Sequence, residues 1–260
     1  MTVSMTQFVQ DVASGALRVI DLTHTLSPEF PALQLPPQFA QVSPFKIERI
    51  SQYDEAGPGW YWNNFTCGEH TGTHLDAPAH WVTGKDYPAN TVDTLDPKRF
   101  IGQACVIDAS EQVAQNEDFL LTVEFLQQWE NQHGRIGEDE WVLFRSDWHK
   151  RMPNAAAFLN AREDGAHTPG PTQEAVQWLI DARNVRGFGV ETINTDAGQS
   201  YAWPTPFPCH TLMHGANKLG LQCLNNLDQL PTRGAVIVAA PLKIQNGSGS
   251  PLRVLAVIPA

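Results

Sequence analysis

The 260-residue chain sets 17 basic against 28 acidic side chains, for a formal net charge of −11, and no basic cluster appears, so nucleic acid is not an expected partner. Its first twenty residues lack a positive n-region and a continuous apolar h-region, and no stretch approaches transmembrane length; no membrane partner and a cytoplasmic location are expected. A hydrophobic content of 42% suffices for a substantial core, and four widely spaced cysteines, Cys67, Cys105, Cys209 and Cys223, suit reduced thiols better than a disulfide framework.

Strand and helix signals alternate along the chain. Phe8, Val9, Val12 and Ala13 give a first helix an apolar stripe, and Arg18–Leu22 reads as the first strand. The proline-rich stretch from Pro28 to Pro44 carries Phe30, Leu33, Leu35 and Phe39. It is too apolar for a solvated tether and reads as an ordered loop that closes over a pocket, meets another subunit, or simply packs. Further strands are expected at Trp60–Cys67, Ala104–Ala109, Trp141–Ser146, Gly187–Glu191, Ala235–Leu242 and Leu252–Ile258. Thr122 can cap a second helix with Phe125, Leu126 and Trp129 inward and Gly134 ending it, and Thr172 can start a third through Val176, Leu179 and Ile180. His210 and His214 stand at i and i+4 on a further helix. With no linker in view, the pattern predicts one mixed α/β domain over residues 1–260.

The chemistry concentrates in His70–His80, HTGTHLDAPAH, which holds three histidines and an aspartate. Imidazole nitrogen and carboxylate oxygen are the ligand set of borderline divalent ions such as zinc and manganese. In an extended chain His70, His74 and Asp76 share one face while Thr71, Thr73 and Leu75 share the other. A fully extended strand holds His70 and His74 about 13 Å apart, so a bend at Gly72 is expected to bring them together. A zincin-like helix is the alternative, but the threonines, Gly72 and Pro78 oppose it and the glutamate of that motif is absent. A buried polar network is the rival to a metal, and a structural ion is the rival to a catalytic one. Cys67 is near enough to be a ligand, in no common zinc-knuckle spacing.

These residues carry a resemblance. H-x-G-T-H-x-D-x-P-x-H resembles the signature of the metal-dependent cyclase family, which includes bacterial kynurenine formamidases and isatin hydrolases. Supporting similarity runs through Asp21-Leu22-Thr23-His24-Thr25-Leu26, Gly187-Phe188-Gly189-Val190 and Asn226-Leu227-Asp228-Gln229-Leu230. The resemblance implies a layered β/β/α arrangement around a mixed sheet, a metal site of His70, His74 and Asp76, and His80 as catalytic acid/base. It also implies a distal pair at His210 and Gln222. Formamidases of the family have glutamate in the second position. Two dications close together need several carboxylates to offset their repulsion, so the neutral amide at 222 points to the isatin-hydrolase branch. One divalent ion per chain follows, Mn2+ in preference to Zn2+, with His210 and Gln222 as weak ligands or supporting donors. Family members resemble one another in forming homodimers or larger assemblies.

A bound dication lowers the pKa of water to about 7 and polarises a carbonyl, which makes amide hydrolysis the natural reaction. His80 lies beyond Pro78, placed to exchange protons with water or the leaving nitrogen; a fourth metal ligand is its alternative role. Trp60, Tyr61, Trp62 and Phe65 precede the motif and Trp81 follows it, giving a flat aryl amide something to stack on or, equally, filling a core. The expected activity is opening of a cyclic aryl amide, isatin to isatinate. N-formylkynurenine hydrolysis is the alternative, and a non-catalytic metal-stabilised binding protein is the alternative of another class.

Cys223 either lines the pocket, where isatin hydrolases have a serine, or is a buried thiol. His214 competes with His210 for the distal position and His24 borders the site. His133 reads as a solvated helix cap, Asp196 as a loop brace, and His149 and His167 as loop residues without nameable partners.

Overall fold

A computed structural model describes residues 4–35, 38–81, 87–152 and 154–260. Its strands are β1 (Leu17–Asp21), β2 (Lys46–Asp54), β3 (Gly57–Thr66), β4 (His74–Asp76), β5 (Ile101–Asp108), β6 (Leu120–Leu121), β7 (Trp141–Arg145), β8 (Ala161–Arg162), β9 (Gly165–Ala166), β10 (Gly170–Pro171), β11 (Gly187–Val190), β12 (Leu219–Gln222), β13 (Ala235–Val238), β14 (Gly249–Pro251) and β15 (Leu255–Pro259). Its α-helices are α1 (Met5–Ser14), α2 (Ser110–Gln115), α3 (Val123–His133), α4 (Ala155–Leu159) and α5 (Gln173–Asp181).

Nine strands make one mixed sheet in the order β1-β15-β13-β5-β7-β11-β12-β4-β14. The four central strands from β5 to β12 run parallel, and the pairs on either side are antiparallel. Central parallel strands are covered on both faces, which is why β7 and β11 read as unbroken apolar runs rather than alternating ones. Leu126 and Trp129 of α3 and Val176 and Leu179 of α5 pack on one face against Val142, Phe144 and Phe188. The other face gathers Leu75, Leu143, Leu221, Ile237 and Ala256. Each buried valine, leucine, isoleucine or phenylalanine among them contributes about 1.5–3 kcal/mol relative to exposure.

The second face closes on itself. Beyond β1, Thr23 bridges to Leu224, the Leu22 carbonyl accepts from Asn225 N–H, and His24 N–H donates to Thr73 Oγ1 at 3.0 Å. The two ends of the sheet thus meet around the core of this second face, and the curled sheet with α3 and α5 outside it gives the expected layered α/β arrangement. Thr122 and Thr172 cap α3 and α5 through their hydroxyls, and Gly134 ends α3 with φ 85°.

Some expectations change. Seven strands, β2, β6, β8, β9, β10, β12 and β14, carry no periodicity signal, β13 ends at Val238 rather than 242, and β15 begins at Leu255 rather than 252. No residue of α1 is buried, so its stripe meets no core in this chain. The Pro28–Pro44 stretch has no regular element, and Phe30 anchors it in the helical-side core; Pro36 and Pro37 lie outside the described residues.

Candidate metal centre

Strand β4 is only three residues long, and all three are buried. It lies between β12 and β14, so backbone pairing on both sides fixes it; Leu75 points into the core enclosed by the curled sheet, with Leu143 and Leu221, while His74 and Asp76 take the other face. Gly72 precedes it at φ 66°, the left-handed conformation a side chain would strain, and a Cβ there would stand 3.0 Å from Leu26 Cδ1. The expected bend is therefore present and the helical alternative is not. His74 Nδ1–H donates to the Gly72 carbonyl at 2.7 Å, leaving Nε2 as the free lone pair. Past Asp76, a 3-10 turn at Pro78–His80 brings the His80 ring flat against His70, centroids 3.7 Å apart.

Asp76 is the hub. Its Oδ1 stands 2.7 Å from His70 Nδ1 and 3.4 Å from His74 Nε2. Oδ2 accepts from the Gln222 amide and lies 3.6 Å from His210 Nε2. Burial disfavours its charge, yet His80, His70 and His74 together hold the carboxyl well below the ordinary range. His210 sits on a π-helical turn, Cys209–Met213, an irregularity that recurs at functional sites. Asp196, fully buried, accepts from Cys209 N–H, His210 N–H and His210 Nδ1, so the loop brace read from the sequence is the residue that orients His210. Burial opposes a charged His210, but Asp196 raises its pKa. For His80, burial outweighs Asp76 and lowers the pKa to about 3; burial and His210 lower His214 to about 4. His214 Nδ1–H donates to the Lys218 carbonyl at 3.1 Å, which frees its Nε2.

Among the described residues three groups have potential ligand atoms within 4.8 Å of one another: His70 with Asp76 and His80, Asp76 with His210 and His214, and, away from this cluster, Asp147 with His149 and Glu191; His74 joins the first through Asp76 Oδ1. The donor set suits a divalent cation. Ser248 Oγ–H donates to Glu69, so this oxygen accepts from His70 Nε2–H at 2.9 Å, and His70 Nδ1 then turns its lone pair to the Asp76 carboxylate. Two acceptors 2.7 Å apart repel one another, and a divalent ion held by both atoms would offset that repulsion.

Trp81 lies beside the cluster, its ring 4.9 Å from that of His210 and 5.8 Å from that of Phe207, with its indole N–H on Thr211 Oγ1. The other aromatic residues stand away from the histidines. Trp60 and Trp62 project from the two-stranded ribbon β2–β3, 49% and 55% exposed, rather than lining the histidine cluster. Phe65 is 62% exposed and stacks on Phe45. Both phenyl rings line a cleft of about 810 Å3 that also takes in Leu26, Leu242, Leu252 and Glu69. None of the clustered histidines lines this cleft; Glu69, through Ser248 Oγ, links it to His70. Cys223 is buried in the helical-side core, and burial pushes its thiol far up. His149 and His167 have partners after all, Glu191 and Asp118. The residues missed outright are Glu69 and Ser248; the one signal for Ser248 was its setting between two glycines.

Residues 20–197 match the Cyclase family model. The isatin hydrolase of Roseibium aggregatum is 51% identical over 95% of this chain and 94% of its own length. Isatin hydrolase A from Ralstonia solanacearum superposes with TM-score 0.98 at 70% identity, covering 99% of this chain and 98% of that one. An isatin hydrolase bound to the product analogue thioisatinate superposes with TM-score 0.96 at 48% identity, covering 99% and 100%.

Proposed function

We propose, since the chain belongs to the Cyclase family, that residues 1–260 form one metal-dependent amidohydrolase domain that opens the lactam ring of isatin to isatinate. The observation that carries this reading is the buried Asp76 carboxylate, shared between a histidine group and a neutral glutamine amide. His70, His74 and Asp76 would hold one divalent ion per chain. Mn2+ is taken over Zn2+ from the resemblance to isatin hydrolases; the imidazole–carboxylate set by itself accepts either ion. Bound there, such an ion supplies Lewis acidity toward a carbonyl oxygen and lowers the pKa of water to about 7.

The side chains do the rest. His80, kept neutral by burial, is ready to take a proton from the attacking water as the new C–O bond forms. It returns that proton to the lactam nitrogen as the C–N bond breaks. His210, fixed by Asp196, and Gln222, on Asp76 Oδ2, hold the carboxylate in place. Trp81 and the cleft bearing Leu26, Phe45 and Phe65 offer apolar area for an aryl ring.

A homo-oligomer is part of the proposal. Ribbon β2–β3 is not paired with the main sheet and exposes Ile47, Tyr53, Trp60, Tyr61 and Trp62, and an isolated two-stranded ribbon is marginal in water. A cytoplasmic location is supported by four unpaired cysteines, and among the described residues no helix is long and apolar enough to cross a membrane.

Incubating manganese-loaded protein with isatin and, separately, with N-formylkynurenine tests the reading, with products followed by absorbance and chromatography. Isatinate should accumulate. Turnover of the formamide alone would transfer the site to the alternative substrate, and turnover of neither would support a binding protein instead.

A further inference from the structure

Behind His70 lies a set of hydrogen bonds that proton transfer by His80 does not use. Edge strand β14 pairs Gly249 with Asp76, and this brings Ser248 alongside the His70 ring. Glycines flank the serine for a steric reason. A Cβ at Gly249 would stand 2.5 Å from His70 Cε1 and 2.6 Å from the Leu75 carbonyl, and one at Gly247 would stand 3.1 Å from Glu69 Oε1. Ring and carboxylate thus both lie directly on this backbone.

Ser248 is held on three sides. Its N–H and its Oγ–H donate to Glu69 Oε2 at 3.0 and 2.6 Å, and its carbonyl accepts from Ala77 N–H at 2.9 Å. A hydroxyl has one proton. With that proton committed to Glu69, Oγ accepts from His70 Nε2–H at 2.9 Å. His70 therefore presents Nδ1, not Nε2, to Asp76 Oδ1, the opposite of His74, whose Nδ1–H is taken by Gly72 and whose Nε2 is free.

We propose that Glu69 and Ser248 are positioning residues, a carboxylate–hydroxyl–imidazole relay that selects the Nε2–H tautomer of His70 and aims its Nδ1 lone pair at the divalent ion. The inference rests on the reading of His70 as a metal ligand. Outer partners of this kind orient a ligating imidazole and raise its basicity, and their loss typically weakens metal binding about 10–100-fold.

The test measures Mn2+ affinity by chelator competition, with the melting temperature of the metal-free protein alongside, in wild type, Ser248→Ala, Ser248→Thr, Glu69→Ala and His70→Ala. Ser248→Ala and Glu69→Ala should each weaken Mn2+ binding about 10–100-fold. Ser248→Thr, which keeps the hydroxyl, should restore it, and the metal-free melting temperature should stay at the wild-type value. Wild-type affinity in Ser248→Ala, with loss in His70→Ala, would overturn the relay. Weakened binding in both Ser248 variants with a lowered metal-free melting temperature would overturn it too, by reducing the serine to loop closure. Wild-type affinity in His70→Ala would instead refute the ligand assignment itself.

Discussion

The side-chain amide of Gln222 donates to Oδ2 of Asp76, whose Oδ1 faces His70 and His74. One oxygen is thereby occupied by a neutral donor and the other is left for a cation. A carboxylate at 222 would face Asp76 across the same gap, and two like charges held that close need a second positive charge to coexist. His210 Nε2 lies 3.6 Å from Oδ2, and His214 belongs to the same group of potential ligands, so both would help supply its ligands. Gln222→Glu is therefore expected to raise bound manganese from one equivalent per chain toward two after dialysis, measured by elemental analysis, and to reduce isatin turnover. A ratio still at one would show that the amide is not what limits the ion count.

His80 is closest to His70 and Asp76 among the site groups, so ligand and proton carrier are the two roles to separate. Burial keeps it neutral, so it has a lone pair open to a proton, although the same burial weakens it as a base. His80→Ala should lower kcat by about 10²–10⁴-fold with manganese content unchanged. His74→Ala should lose the metal. Metal loss in both would move His80 into the coordination shell.

The local pattern of the motif was readable because each step has a local cause. Alternation put His74 and Asp76 on one face, Gly72 took the left-handed bend, and Pro78 opened the turn that carries His80. The threonine caps of α3 and α5 were legible for the same reason. What escaped depends on partners distant in sequence. Glu69 and Ser248 meet across 179 positions, and nothing near either one announces the other. Strand β12, LGLQ, is too short for period to show, and it becomes a strand because β11 and β4 flank it. Trp60 and Trp62 misled because aromatic residues favour strands whether the strand is buried or projects as a ribbon.

That ribbon gives a separate prediction. Trp60 and Trp62 meet edge to face at 6.4 Å and are half exposed, as expected of residues awaiting a second copy of the chain. Replacing both with serine should shift the mass measured by light scattering toward the monomer while far-ultraviolet circular dichroism stays unchanged. An unchanged mass would remove the ribbon from the subunit interface, and a monomeric wild type would end the homo-oligomer proposal.

A pH effect on stability should originate away from the metal centre, at His149. Its Nδ1 lies 2.6 Å from Glu191 Oε1, its Nε2 lies 3.8 Å from Asp228, and its side chain is 10% exposed. Burial opposes its charge, but the Glu191 hydrogen bond and the charges of Glu191, Asp228 and Asp147 win, and the folded pKa is raised. A raised folded pKa means that the contribution is complete below the ordinary histidine value of about 6.5 and is lost as pH climbs through the folded value. Arg145 and Lys150 pair with Asp147 in the same network and keep their charge throughout that window. His149→Gln should therefore cost about 1.5–3 kcal/mol at pH 6, the range for a hydrogen bond to a charged group. In urea unfolding the gap from wild type should narrow by pH 9. A gap of equal size at both pH values would mean that His149 acts through packing alone, without a proton-linked contribution.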